Sequence, residues 1–305
     1  MYLIIKHHLK NDVYLLYFRY YIMSNLIINT NIPVICNHGQ MNRTFLFAST
    51  DNEDGYISNK EKLGENWYYY DKKIEYKYNS WGYRSKEINE IGDDFILVFG
   101  CSNTEGIGLH EDDMWANKLS KELNMDVLNM GMGGTSIDFQ FYNTMLLYDY
   151  LIKINKTPKL VIYQWPYKYR TTFPFKTNIN EIESLGFELF CGSFPTEAYP
   201  ENSKWYGQWY VHGFLDNKGE LMKQKDLYVS FANILWKNVG VKVINWTWDD
   251  CFYKDTPKIM NTDFVVEQIR DEYGEIKARD CAHHGHLSQN CVVNHILKKW
   301  NNGIS

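Results

Sequence analysis

The stretch Phe95-Ile96-Leu97-Val98-Phe99-Gly100-Cys101-Ser102-Asn103-Thr104-Glu105-Gly106 decides the fold. Five consecutive apolar residues leave no polar face, so the run reads as a strand buried on both sides, as in a parallel sheet covered by helices. A glycine-bearing turn follows, and then a helix over residues 113–123, with Trp115, Leu119 and Leu123 spaced as a buried stripe. The same rhythm recurs downstream. Val127-Leu128-Asn129-Met130 is a second strand, residues 131–134 a second glycine turn, and Ser136 the N-cap of a helix reaching residue 154. Leu160-Val161-Ile162-Tyr163 is a third strand. A helix over residues 227–239, closed by Gly240, leads into the strand Val241-Lys242-Val243-Ile244-Asn245, and a last helix over residues 287–300 aligns Val292, Ile296 and Trp300. Strand and helix in steady alternation predict an α/β chain: a three-layer, doubly wound, mainly parallel sheet whose ligands bind outside the carboxyl ends of the strands.

Two segments break the rhythm. Residues 23–92 mix Asn, Gly, Lys and Tyr around short alternations such as Ile74-Glu75-Tyr76-Lys77-Tyr78, which predicts a β-rich accessory lead-in of hairpins and loops without helices. Residues 166–222 crowd aromatics, among them Tyr167, Tyr169, Trp205, Tyr206, Trp209 and Tyr210, around Pro and Gly, and read as an irregular insertion in a domain spanning residues 93–305. Residues 1–22 are apolar and aromatic, but Lys6, Lys10, Asp12 and Arg19 interrupt them, so no run is long enough for a stable membrane span. No small-residue cleavage site follows, and no signal peptide is expected. Met23 opens an ordinary polar start, and residues 1–22 are expected to be a non-essential extension.

Composition narrows the classes of function. The 305 residues are 45% hydrophobic and 23% charged, which excludes a disordered or collagen-like chain. Basic residues number 32 against 37 acidic ones, a net charge of -5 with no long block of one sign, so nucleic acid is not an expected partner. The six cysteines, Cys36, Cys101, Cys191, Cys251, Cys281 and Cys291, include no C-x-x-C pair, which fits reduced thiols in a cytoplasmic setting.

Chemistry should sit in the turns. A strand-to-helix turn flanked by glycines, as at residues 100–106, can hold a small nucleophile above the sheet and aim backbone amides at an anion, which makes Ser102 the candidate. A plain Gly/Ser/Thr turn with a helix cap accounts for the same residues. Cys101 is a further nucleophile, although nothing singles out a partner for its thiolate. In Asn129-Met130-Gly131-Met132-Gly133-Gly134-Thr135-Ser136 the glycines leave amides free to approach an oxyanion, or serve only a tight turn. The stretch lacks the Walker lysine and the dinucleotide glycine order. Before the last helix, Asp280-Cys281-Ala282-His283-His284-Gly285-His286 places a carboxylate three residues ahead of an imidazole, which can fix the ring's tautomer while its other nitrogen faces a nucleophile. A metal site from Cys281, His284, His286 and Cys291, or simple helix capping, competes for these residues.

Taken together, these segments resemble the SGNH hydrolases, also called the GDSL esterase/lipase family. Residues 100–106 are similar to the family's G-D-S-x-T-x-G block, with Cys101 in place of the aspartate. Residues 129–136 look like N-x-G-x-x-G-x-T, and Asp280-Cys281-Ala282-His283 matches D-x-x-H. Asn79-Ser80-Trp81-Gly82-Tyr83-Arg84 is similar to a segment that precedes the hydrolase domain in some members, phage-encoded ones included. The resemblance implies a flavodoxin-like sheet, with Ser102 as nucleophile, His283 as general base and Asp280 as its orienting carboxylate. It also implies an oxyanion hole from the amides of Ser102 and Gly134. The family's third block, G-x-N-D, is absent: the third strand ends Tyr163-Gln164-Trp165-Pro166, and Gln164 is the expected stand-in for the missing Asn donor. The implied activity is hydrolysis of an acyl ester, acetyl being the expected group, on a small-molecule or glycan substrate with no cofactor. The alternatives are a lipase or acyltransferase, or a non-catalytic glycan-binding or structural module on the same fold.

Overall fold

The computed structural model describes residues 26–28, 32–168, 170–179, 182–190, 220–248, 262–266, 270–271, 274–275 and 277–302. The expectations for residues 1–22 and for Tyr169, Trp205, Tyr206, Trp209 and Tyr210 lie outside them. In chain order the lead-in contributes β1 (Leu26–Ile28), β2 (Ile35–Asn37), β3 (Thr44–Phe45), α1 (Glu53–Leu63) and β4 (Tyr76–Lys77). Then come β5 (Phe95–Gly100), the single turn α2 (Ser102–Glu105), α3 (Trp115–Leu123), β6 (Asp126–Gly131), α4 (Ile137–Lys153) and β7 (Leu160–Gln164). The hairpin β8 (Thr171–Ile179) and β9 (Ile182–Phe190) intervenes before α5 (Glu220–Asn238), β10 (Lys242–Trp248) and β11 (Phe264–Val266). The short β12 (Arg270–Asp271) and β13 (Gly274–Glu275) precede α6 (His286–Asn301).

The main sheet has the order β6-β5-β7-β10-β11 and is parallel throughout. Every residue of β5 and β7 is buried, as their unbroken apolarity requires. Alternate residues serve opposite layers. Phe95, Leu97, Phe99, Val161 and Tyr163 pack with Leu147 and Leu151 of α4 and Trp236 of α5. Ile96, Val98, Leu160 and Ile162 pack with Trp115 and Leu119 of α3 and Val292 and Ile296 of α6. The result is the three-layer, doubly wound α/β sheet with the flavodoxin-like strand order. That order reverses between β5 and β7, the switch point at whose carboxyl ends ligands of such sheets bind.

Two expectations need correction. The lead-in contains a helix, α1, none of whose residues is buried. With no apolar stripe, periodicity could not reveal it, and its ends hold it instead. The Asn52 side chain accepts from the Gly55 amide at 2.8 Å, Glu53 and Asp54 occupy the first turn, and Lys60 and Lys62 the last, signs matched to the helix dipole. The insertion is not irregular throughout, because β8 and β9 form a nine-residue antiparallel ladder that β1 and β2 extend to a four-stranded sheet. The alternation Phe173, Phe175, Thr177, Ile179 carries that signal, and aromatic side chains favour strands.

The lead-in also shares a core with the loops of the main domain. Tyr69, Ile74, Tyr76 and Tyr78 pack with Ile107, Leu109, Met114 and Ala278. The buried Arg84 guanidinium donates to the carbonyls of Gly106 at 2.6 Å, Leu109 at 3.0 Å and Glu75 at 2.9 Å, fastening the chain that follows α2. Among the described residues no helix is long and apolar enough to cross a membrane.

Candidate active site

The turn after β5 is supported from below. Cys101 stands in extended conformation as N-cap of α2, Ser102 is its first residue, and Gly106 ends it at φ 79°. Beneath them the Gln164 Oε1 accepts from the Cys101 amide at 3.0 Å, the Cys101 thiol at 3.2 Å and the Thr104 hydroxyl at 3.2 Å. Its Nε2 donates to the Trp165 carbonyl at 3.2 Å. In this arrangement the amide donor expected to meet an oxyanion contacts the backbone, and the acceptor end ties the Ser102 turn to β7. The longer side chain explains the difference, since it reaches under the turn from the strand end.

The second glycine turn lies against α2. A Cβ on Gly131 would come within 2.5 Å of the Glu105 nitrogen and 2.7 Å of the Thr104 carbonyl carbon, so only hydrogen fits there. Asn129 stitches the two together, donating to the Thr104 carbonyl at 2.9 Å and accepting the Gly131 amide at 2.9 Å. Gly134 has φ 75°, a left-handed conformation, and Ser136 caps α4 by accepting from the Phe139 amide, as expected. The Ser102 amide, at the start of α2, has no acceptor among the described residues. Sequence reasoning missed Glu105. This buried carboxylate accepts from the Gly133 amide and from the Tyr78 hydroxyl at 2.8 Å, and burial pushes its pKa above the usual range.

The third segment closes over Ser102. The His283 Nε2 lies 2.7 Å from the Ser102 Oγ, and its Nδ1 lies 2.6 Å from the Asp280 Oδ2. The Asp280 Oδ1 accepts the amides of Ala282 and His283, both at 3.1 Å, while the Thr50 hydroxyl donates to Oδ2 at 2.6 Å. Burial opposes ionisation of Asp280, but the hydrogen bond and charge of His283, with the Thr50 and backbone donors, outweigh it and hold the pKa at about 2. An ionised Asp280 assigns the Nδ1 proton to its side, leaving the Nε2 lone pair to face the Ser102 hydroxyl. This line of groups can take a proton from a serine hydroxyl and return it to a leaving group.

The neighbouring histidines go elsewhere. His284 stacks on Trp248 with centroids 3.8 Å apart, and His286 stacks on Tyr68 at 3.7 Å. Among the described residues no three His, Cys, Asp or Glu side chains converge as a metal site, and Cys281 is exposed while Cys101 is buried.

No protein-family model matches the chain. No curated protein matches it either. Among solved structures it is similar to a protein from Desulfitobacterium hafniense DCB-2 assigned to the lipolytic G-D-S-L family, at 10% identity over 67% of this chain and 98% of that one, with a TM-score of 0.28.

Two measurements test this geometry. A carboxyl whose folded pKa is depressed stabilises the fold above its unfolded pKa and loses that contribution as pH falls through the folded value. With a change from 3.8 to about 2, Asp280 contributes about 2 kcal/mol above pH 4 that fades between about pH 4 and 2. The gap in melting temperature between the wild type and Asp280→Asn should therefore narrow as pH is lowered across that window, and a constant gap would refute the assignment. Gln164→Leu should destabilise the fold by about 1–3 kcal/mol in chemical denaturation, because the Cys101 amide and Thr104 hydroxyl lose their buried acceptor. Unchanged stability with a slower rate would return Gln164 to the oxyanion.

Proposed function

We propose that the protein is a serine ester hydrolase in which Ser102, His283 and Asp280 form the catalytic triad. The observation that carries this is the continuous contact from the Ser102 Oγ through His283 to Asp280, at 2.7 and 2.6 Å, assembled from segments 181 residues apart. In the reaction, the Ser102 oxygen attacks the ester carbonyl carbon and its proton passes to the His283 Nε2. Asp280 holds the Nδ1 proton and stabilises the imidazolium. The carbonyl oxygen, now an anion, meets the amides of Ser102 and Gly134. As the C–O bond breaks, His283 gives its proton to the departing alcohol, leaving an acyl group on Ser102. Water, deprotonated by His283, then releases the acid and restores the hydroxyl.

With Gln164 engaged beneath the turn, the hole has two backbone donors. Loss of a donor elsewhere costs on the order of 10²–10³ in rate, so a modest turnover number fits this site. A small acyl group such as acetyl suits the site, because Ser102 keeps only 9% of its surface exposed. A carbohydrate or similarly polar alcohol is favoured by the aromatic insertion at residues 166–222, because flat aromatic faces suit sugar rings.

Purified protein should hydrolyse an aryl acetate. Ser102→Ala should lower the turnover rate by at least ~10³-fold with the melting temperature kept. Equal hydrolysis by the variant would refute the serine mechanism. No hydrolysis by either protein, both folded, would favour a non-catalytic module on this fold.

A further inference from the structure

The Thr50 contact joins the lead-in to the far end of the chain, and the residues around it explain how it is held. Two adjacent side chains, Thr50 and Asp51, meet two adjacent side chains 230 and 228 residues away, Asp280 and Arg279. The Arg279 guanidinium grips the Asp51 carboxylate through Nε at 2.9 Å and Nη2 at 2.6 Å, and Nη2 also donates to the Leu46 carbonyl at 2.7 Å. The Tyr76 hydroxyl adds a further donor to Asp51. Both charged groups are nearly fully buried, and the rings of Phe47 and Tyr56 flank the guanidinium at 4.7 and 5.0 Å.

The peptide carrying Thr50 is equally constrained. Ala48 and Asp51 exchange backbone hydrogen bonds at 2.9 and 3.1 Å, Ser49 turns through φ 57°, and the Asn52 side-chain Nδ2 donates to the Thr50 carbonyl at 3.0 Å. From α1, Asn59 donates to the Arg279 carbonyl at 3.1 Å. Every one of these contacts is local to the junction, and together they deliver one hydroxyl to one carboxylate oxygen.

That oxygen is the one facing His283. The turn's own amides occupy Oδ1, so among the described residues only Thr50 and His283 donate to Oδ2. The Thr50 oxygen also lies 3.5 Å from the His283 Nδ1, beside the hydrogen bond it supports. A carboxylate held by two amides on one oxygen can still tilt about its bond to Cβ, and a donor on the second oxygen removes that freedom.

We propose that Thr50 is a positioning residue for the acid–base pair, its hydroxyl fixing the Asp280 oxygen that orients His283, with the Asp51–Arg279 ion pair as the clamp that brings it there. The inference rests on the serine-hydrolase reading of the same site. It makes residues 48–52 of the lead-in part of the active centre.

The test compares aryl acetate hydrolysis by wild type, Thr50→Val, Thr50→Ser and Ser102→Ala, with the melting temperature of each. Valine keeps the shape and removes the donor, while serine keeps the donor. Thr50 is exposed, so neither change opens a core cavity. Thr50→Val should show kcat lower by about 10-fold or more with KM and melting temperature near wild type, as for loss of an orienting partner. Thr50→Ser should recover most of the rate. A Thr50→Val enzyme at wild-type kcat, or a Thr50→Ser enzyme as slow as Thr50→Val, overturns the inference. If Ser102→Ala is as active as wild type, the hydrolase reading fails instead, whatever Thr50 does.

Discussion

In a sheet whose five strands all run in one direction, every strand delivers its carboxyl end to the same edge, and the site depends on that constraint. β5, β6 and β7 are hydrogen-bonded neighbours or next neighbours, so the turns after them must share one small volume. The close approach is tightest where β6 ends against α2, at Gly131, with Asn129 and Gln164 bracing the turn from either side. Ser102 is thereby presented on a rigid ledge, at the start of a helical turn whose first amide is free of acceptors among the described residues. Rigidity of this kind is what a developing negative charge exploits, since donors already in place need no reorganisation.

The Asp280–His283 pair comes from outside that sheet edge and needs its own support. The turn at residues 277–284 is held by its internal hydrogen bonds, including the Ala278 amide to the His283 carbonyl at 2.9 Å, and by the Arg279 amide on the Gly108 carbonyl at 2.9 Å. The buried Asp51–Arg279 pair adds the lead-in to this scaffold. Such a pair adds little net stability once the loss of hydration is counted, but removing one partner would leave a charge stranded in the interior at a cost of about 3–5 kcal/mol. Its value lies in geometry: it permits one arrangement of the two segments. Tyr78 on Glu105 and Arg84 on the carbonyls beyond α2 extend the same device to the Ser102 side.

The parts legible in the sequence were those with strong local chemistry. The apolar run of β5, the glycines at residues 131, 133 and 134, Ser136 as N-cap and the spacing of Asp280 and His283 each follow from the residues themselves. α1 was invisible because it buries nothing, so its signal lay in Asn52 and the charges at its two ends rather than in a stripe. The ladder of β8 and β9 hid inside an aromatic-rich stretch that reads equally as loop. Gln164 stands at the strand end as read, but an amide offers a donor and an acceptor, and which end faces the turn depends on packing around Thr104 and Trp165 that the sequence does not display. Thr50 and Asp51 carry no motif at all. Their role arises from a contact more than 200 residues away in the chain, which local pattern cannot express.

The proposed mechanism makes the Ser102 hydroxyl a nucleophile activated by His283. Its most direct test is covalent. Incubation with an alkyl fluorophosphonate, followed by mass spectrometry of the digested protein, reads out attack of a serine oxygen on phosphorus with loss of fluoride. A single adduct is expected on the peptide containing Ser102, and it should disappear in His283→Ala although Ser102 is still present. Labelling at Cys101 in place of Ser102, or Ser102 labelling that is indifferent to His283→Ala, would contradict it.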